Sequence, residues 1–279
     1  MYIKKFYTSC LLSLAILFNF YIVAEASSLN SQILQTKIYQ KYKNGGLESA
    51  EAEYKQLTSN HNLTETDVIA LLKIYEKNLE DSKYIELCKD GINKFPQSYT
   101  LYYLLGMKYS KIKKYDDAIT AYTASIKIHP TEPSYYNRGQ IYYFIKKDYK
   151  NAIDDFSNAT KYIEQSVDKT QLNKSLADIY KNRGLAYNQI NELDKSLKDF
   201  DTAISFEPEN AEFYYNRAVI KISKASSKKM FKKTRSGLIQ SANEDLNKAS
   251  DIYQKNNNMI MYKKIEDYKK FEAVKSLIK

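Results

Sequence analysis

A spacing of about 34 residues, repeated along the chain, constrains its fold more than any other feature of the sequence. Pairs of core-type residues four positions apart recur at this interval, namely Ala50/Tyr54, Tyr84/Cys88, Ala118/Tyr122 and Ala152/Phe156. Two further copies, Ser196/Phe200 and Ala242/Leu246, follow after longer intervals. A period of about 20 to 50 residues is typical of repeat architectures, in which each unit buries its apolar face against its neighbours. We therefore expect an array of similar units.

Each unit is predicted to contain two helices joined by a polar turn. In residues 99–130 the first half places core residues at the i, i+3, i+4, i+7 spacing of one helix face, at Tyr102, Leu105, Gly106 and Tyr109. The chain has only seven glycines and four prolines in 279 residues. Three of those prolines close a unit, at Pro96, Pro130 and Pro208. Because sandwiches, barrels and doubly wound folds need many turn residues, this composition predicts an all-α chain.

Small residues and caps recur at matching points of the units. Glycine or alanine occupies one site of the first helix, where two helices must approach closely, at Gly106, Gly139, Gly184 and Ala218. Ser98 and Asn210 are candidate N-caps, because a short polar side chain can accept a hydrogen bond from a free backbone N–H. Asn44, Gly45 and Gly46 predict a turn within the first unit.

These residues resemble the tetratricopeptide repeat (TPR) family. Two units carry its signature most fully, Gly106…Tyr109…Ala118…Tyr122…Pro130 and Gly184…Tyr187…Phe200…Ala203…Pro208. A third, Gly139…Tyr142…Ala152…Phe156…Ala159, has one extra turn residue and no closing proline. The resemblance covers roughly residues 31–254. It implies a right-handed superhelical solenoid of antiparallel helix pairs, whose first helices line a concave groove.

The predicted organisation is a solenoid over 27–256, followed by a C-terminal capping helix over 257–279. The solenoid is expected to have about six repeats, at approximately 31–62, 65–98, 99–131, 132–165, 177–210 and 211–254. Residues that can form the inner face of the cap are Ile260, Tyr262, Ile265, Tyr268 and Phe271. The terminal unit of a repeat array needs such a cap, because it has no neighbour on one side.

Residues 1–26 are predicted to be a signal peptide. Lys4 and Lys5 precede an uncharged run from Phe6 to Ala24, and Ala24 and Ala26 fit the small-residue cleavage pattern. Cleavage after Ala26 would place the protein in a bacterial periplasm or outside the cell. An uncleaved anchor is the alternative, since the uncharged run is close to the length of about 20 apolar residues that a membrane-spanning helix needs.

Catalysis is not expected. Two histidines, His61 and His129, have no cysteine or carboxylate arrangement around them in sequence that suggests a triad or a metal site. Cleavage would leave Cys88 as the one remaining cysteine, and its position in the repeat predicts a small buried hydrophobic residue. Acid pairs such as Asp154 and Asp155 are interpreted as solvated helix faces. We therefore predict a protein with no enzymatic activity, metal or cofactor.

The main binding hypothesis rests on a triplet repeated in three successive first helices. Asparagine followed by arginine and a small residue recurs at Asn137, Asn182 and Asn216. The TPR resemblance implies that these amides face the groove and hydrogen-bond an extended peptide, as amides both donate and accept. Further candidates near the same face are Tyr103, Met107, Tyr136, Gln140, Lys181 and Tyr215. A triplet without any ligand, simply typical of the family's sequences, is the alternative.

A second hypothesis rests on charge. The chain has a net charge of +10, and the stretch from Phe213 to Asn243 contains no acidic residue. The Lys-rich insertion at 221–235 includes Lys228, Lys229, Lys232, Lys233 and Arg235. Such a patch suits an anionic envelope polymer or membrane surface, although a solvated helical extension or loop would carry the same residues. Nucleic acid is not expected as a partner of an exported chain. A protein adaptor or assembly factor of the cell envelope remains the leading prediction.

Overall fold

The computed structural model describes residues 23–163, 169–226 and 230–277 of the chain. In these ranges the backbone forms thirteen α-helices and one π-helical turn, with no strand. The predicted all-α fold is confirmed. No helix in these ranges has a stretch long and apolar enough to cross a bilayer. The chain divides into two compact units between Arg138 and Gly139, called unit 1 and unit 2.

The helices of unit 1 are α1 (Val23–Gln35), α2 (Lys37–Ser59), α3 (Glu65–Lys77), α4 (Asp81–Lys94), α5 (Tyr99–Lys111) and α6 (Tyr115–Ile128). Helix α7 (Glu132–Ile141) contains the boundary between the units. Unit 2 continues with a π-helical turn (Tyr142–Lys146), α8 (Tyr149–Ile163), α9 (Lys169–Gln189), α10 (Leu193–Phe206), α11 (Ala211–Ala225), α12 (Lys232–Lys255) and α13 (Met259–Leu277). In unit 1 α5 packs against α6, and in unit 2 α9 packs against α10 and α11 packs against α12.

The ends of the helices follow the polar residues that the sequence places there. Ser98 accepts a hydrogen bond from the Leu101 N–H, and Asn210 accepts one from the Glu212 N–H. Both predicted N-caps are thus confirmed. Gly45 and Gly46 have non-helical dihedral angles, with a φ of 71° at Gly46. They therefore divide α2 into two helical segments and make the predicted turn.

The small residues of the first helices lie where two helices come closest. A Cβ atom at Gly106 would be 2.8 Å from the Tyr122 ring, and one at Gly184 would be 3.1 Å from the Phe200 ring. In the same position Ala218 is fully buried in a cluster with Ala242 and Leu246. The close approach predicted from the repeat is therefore confirmed, since the helix pair leaves no room for a larger side chain.

Replacing Gly106 with alanine is expected to destabilise the protein by about 1 kcal/mol. Overpacking against Tyr122 costs roughly 1–3 kcal/mol, partly offset by the higher helix propensity of alanine. Gly237 is the matched control, because a Cβ there would meet nothing within 4 Å. Gly237→Ala should stabilise the protein by about 0.5–1 kcal/mol. Urea unfolding of both variants gives the comparison, and equal effects of the same sign would contradict it.

The extra residue of the 132–165 unit is absorbed by the π-helical turn. Four of the first helices are followed by a residue with positive φ, at Leu79, Lys113, Lys147 and Asn191. This residue comes seven positions after Gly106 and after Gly184, but eight positions after Gly139. A single inserted residue is commonly accommodated in a helix as one π-turn. The turn at Tyr142–Lys146 therefore restores the register of the hairpin.

Two expectations about exposure were wrong. Asp155 is 3% exposed and not on a solvated face. It lies at the close approach in unit 2, where a Cβ at Gly139 would be 3.1 Å from the Asp155 Cβ. Ile260 is 83% exposed, whereas Ile265 is fully buried as predicted for the cap. At 100° per residue these two side chains lie about 140° apart around α13, so they cannot share one inner face. The Phe271 side chain lies outside the described residues.

Candidate functional site

In unit 1 two of the predicted groove residues, Asn137 and Tyr103, contact each other. The Asn137 amide donates a hydrogen bond to the Tyr103 hydroxyl over 3.3 Å, and only 8% of Asn137 is exposed. Tyr103 packs against Tyr122, with 5.9 Å between ring centroids, and the Tyr122 hydroxyl lies 3.4 Å from that of Ser110. Burial raises the pKa of Tyr103 well above its ordinary value. The Asn137 amide is therefore used inside unit 1, linking α7 to α5.

The two asparagines of unit 2 differ in exposure. Asn182 is 3% exposed on α9, whereas Asn216 is half-buried on α11. Among the described residues, no side chain or backbone group hydrogen-bonds to the Asn216 amide, whose donor and acceptor remain available. The asparagines predicted as one ladder are thus not equivalent. Of the three, Asn216 has the most exposed side chain.

Beside Asn216, the aromatic ring of Tyr215 is partly covered by α13. The Tyr268 ring meets it edge to face, with 6.1 Å between centroids, and the Lys264 Nζ lies 5.9 Å from the Tyr215 centroid. Burial raises the pKa of Tyr215 and lowers the pKa of Lys264. These four residues, Tyr215, Asn216, Lys264 and Tyr268, are called the Tyr215 surface. It combines a stacking ring, an ammonium group and a free amide.

The remaining candidates are a paired lysine and three half-buried side chains. Lys181 is held by Asp178, with 2.9 Å between Nζ and Oδ1, and its Nζ lies 4.0 Å from Glu212 on the next first helix. Its charge is therefore compensated within unit 2. Met107, Tyr136 and Gln140 are half-buried.

The arginine of the repeated triplet has a structural partner that the sequence analysis missed. Arg183 donates two hydrogen bonds to Asp199, of 2.8 and 2.7 Å, and Asp199 is 4% exposed. Arg217 forms the same fork with Asp245, which also accepts from Lys221 over 2.7 Å. A signal was present, because an aspartate directly precedes the large core residue in the last three second helices, at Phe156, Phe200 and Leu246.

The residues with catalytic potential are poorly placed for chemistry. Cys88 is fully buried, as predicted, and burial raises the pKa of its thiol to about 12, so the reactive thiolate is suppressed. His61 and His129 are exposed, and the His129 ring packs 4.8 Å from Tyr99. In the parts of the chain that the structure covers, no group of three or more His, Cys, Asp or Glu could hold a metal ion.

The predicted basic patch is only partly visible. Lys228 and Lys229 lie outside the described residues. Lys232 and Lys233 are exposed in the first turn of α12, and Arg235 is half-buried one turn further on. The insertion therefore continues as a helical extension from Lys232 onwards.

Comparison with known proteins identifies the repeats. Residues 99–132 and 132–166 match a family model described as tetratricopeptide repeat, and residues 184–221 match a second model described as TPR repeat. RNA polymerase II-associated protein 3 of Homo sapiens is 31% identical over 142 residues, which are 50% of this chain. The chain covers only 19% of the length of that relative.

Two solved structures share the fold. YrrB, a TPR protein with an unusual peptide-binding site, aligns over 75% of this chain and 96% of its own, with 18% identity and a TM-score of 0.58. The MamA fragment from Desulfovibrio magneticus RS-1 aligns over 68% of this chain and 96% of its own, with 16% identity and a TM-score of 0.55. The family matches show that residues 99–166 and 184–221 carry tetratricopeptide repeats, and the solved structures show that the chain shares the fold of these two proteins.

Proposed function

We propose that this protein is a non-catalytic adaptor or assembly factor, which binds a peptide or helix of another protein on its first helices. The observation that carries the proposal is the Tyr215 surface, where consecutive residues of α11 supply an aromatic ring and an unsatisfied amide. Aromatic anchors and amides are common in protein interfaces, because they combine buried area with directional hydrogen bonds. The peptide-binding site of YrrB, a protein with the same fold, supports this proposal.

Photocrosslinking in intact cells tests the location of this interface. A photoreactive amino acid at Val219, one turn along α11 from Tyr215, should capture a partner protein. The matched control is Lys198, which is exposed on the second helix α10. The proposal predicts a crosslinked product at Val219 that is absent at Lys198. A product of equal yield at both positions, or at neither, would contradict it.

We further propose that the protein is exported and cleaved after Ala26. Helix α1 is described from Val23 onwards, so cleavage would remove its residues up to Ala26 and retain the buried Ile33. N-terminal sequencing of the protein isolated from a bacterial host should therefore begin at Ser27. A chain that keeps residues 1–26 and fractionates with membranes would instead support the anchored alternative, and an unprocessed chain in the cytoplasm would exclude both.

A further inference from the structure

Helix α12 is much longer than the other second helices. It has 24 residues, whereas α4, α6 and α10 each have 14. The core residues Ala118 and Ser196 are the fourth residues of α6 and α10. The equivalent core residue of α12 is Ala242, so a second helix of ordinary length would start near Ile239. The residues from Lys232 to Leu238 are thus an N-terminal extension of about two turns, roughly 10 Å long.

The extension begins with an exposed apolar side chain next to two exposed cations. Phe231 is the N-cap residue and is 85% exposed, and Ile239 is 40% exposed. Neither Lys232 nor Lys233 has an ion pair or side-chain hydrogen bond among the described residues. Lys232 and Ile239 are seven positions apart, so they lie on nearly the same side of the helix. Phe231, Lys232, Lys233 and Ile239 are called the Phe231 tip.

The residues of the Phe231 tip do not stabilise the start of the helix. Lysines in a first turn oppose the positive end of the helix dipole, and an exposed phenylalanine gains nothing from burial. The cations of the preceding helix α11 are compensated, since Arg217 and Lys221 pair with Asp245 and Lys224 pairs with Asp194. Uncompensated positive charge therefore stands beside exposed apolar surface at the tip. A local arrangement that costs stability without an internal gain points to binding.

We propose that the Phe231 tip docks on an anionic lipid surface. Phe231 would enter the headgroup region, with Lys232 and Lys233 against lipid phosphates, which is the combination that holds peripheral segments on membranes. The absence of any acidic residue from Phe213 to Asn243 removes local repulsion from such a surface. A soluble acidic polymer would satisfy the lysines but would leave Phe231 in water. This site is independent of the Tyr215 surface.

The chain contains no tryptophan, so Phe231→Trp creates a single fluorescent probe at the tip. With vesicles of phosphatidylglycerol, the emission of the full-length variant should shift to the blue and be quenched by brominated lipids. Vesicles of phosphatidylcholine should give neither effect. Ile260→Trp is the matched control, because Ile260 is equally exposed, and it should remain unquenched. Quenching of both probes, or of Ile260→Trp alone, would overturn the proposal.

Charge at the tip is tested separately with Lys232→Gln/Lys233→Gln. Each lysine near an anionic surface contributes about a fivefold gain in affinity, so co-sedimentation with phosphatidylglycerol vesicles should weaken roughly 25-fold. Lys113→Gln/Lys114→Gln removes the same charge from an exposed turn of unit 1 and should have little effect. Residues 1–26 are the same in all these variants, so differences in vesicle binding report on the tip. Equal losses of affinity in the two double variants would contradict lipid docking. Binding to soluble polyphosphate that is as tight as binding to vesicles, and that does not change in Phe231→Ser, would contradict it as well.

Discussion

Replacing Arg183 with methionine is expected to destabilise the protein by about 3 to 5 kcal/mol at neutral pH. The change leaves the Asp199 carboxylate buried without its partner, and removing one member of a buried ion pair has a cost of this size. Burial already raises the pKa of Asp199 while Arg183 lowers it, so the pKa should rise further in the variant. The loss should therefore be smaller at pH 5 than at pH 8, because a raised pKa favours the uncharged form of the Asp199 carboxyl as the pH falls. Urea unfolding followed by circular dichroism gives both values.

Two controls separate the unpaired charge from simple loss of packing. Arg183→Met/Asp199→Leu removes both charges and should recover most of the stability, because apolar residues often replace a buried ion pair at little cost. Arg217→Met should be less harmful than Arg183→Met, since Lys221 still lies 2.7 Å from Asp245. A double variant as unstable as Arg183→Met would show that the pair is not the cause.

Replacing Glu132 with glutamine is expected to stabilise the protein by about 5 kcal/mol at pH 9 and hardly at all at pH 4. Glu132 is 7% exposed, its Oε2 has no hydrogen-bond partner among the described residues, and burial raises its pKa to about 8 from an ordinary 4.5. The folded protein therefore keeps a proton that the unfolded chain releases between these pH values. Stability falls in this window by about 1.4 kcal/mol per pH unit, and glutamine removes that dependence.

The pH dependence, rather than one stability value, decides this prediction. Urea unfolding of both proteins at pH 4, 6, 8 and 9 should give curves that diverge as pH rises and become parallel above pH 8. Tyr103 is the neighbouring group whose own pKa is raised further by the charge on Glu132, so its phenol should ionise more readily in Glu132→Gln. Parallel curves across the whole range would mean that Glu132 is ionised and compensated in the folded protein.

The contacts within one hairpin could be predicted from the sequence. The periodic positions of Gly106 and Tyr122 implied a close approach, and a serine before an apolar helix implied the cap at Ser98. Both inferences depend on helical spacing and local hydrogen bonding, which act between residues near in sequence. The tetratricopeptide resemblance then supplied the pairing of helices into repeats.

The character of the candidate site needed the structure, because it depends on contacts between successive hairpins. Asn137, Asn182 and Asn216 look identical in sequence, yet Asn137 bonds to Tyr103 and Asn216 keeps its amide free among the described residues. The sequence predicted that Asp155 belongs to a solvated acid pair, whereas in the structure it is buried beside Gly139. Sequence spacing indicates which side of a helix a residue occupies, but not how far the next helix covers that side.

The central claim is tested most directly with the double variant Tyr215→Ala/Asn216→Ala. The measurement is the affinity of this variant for a partner that was captured at Val219. The account predicts that the dissociation constant rises at least tenfold, since truncating an aromatic anchor at the centre of an interface often costs more than about 1.4 kcal/mol. Lys198→Ala/Ser205→Ala, on the exposed side of α10, should bind like the parent protein. Unchanged affinity in the Tyr215 variant, with its fold intact by circular dichroism, would contradict a binding role for this surface.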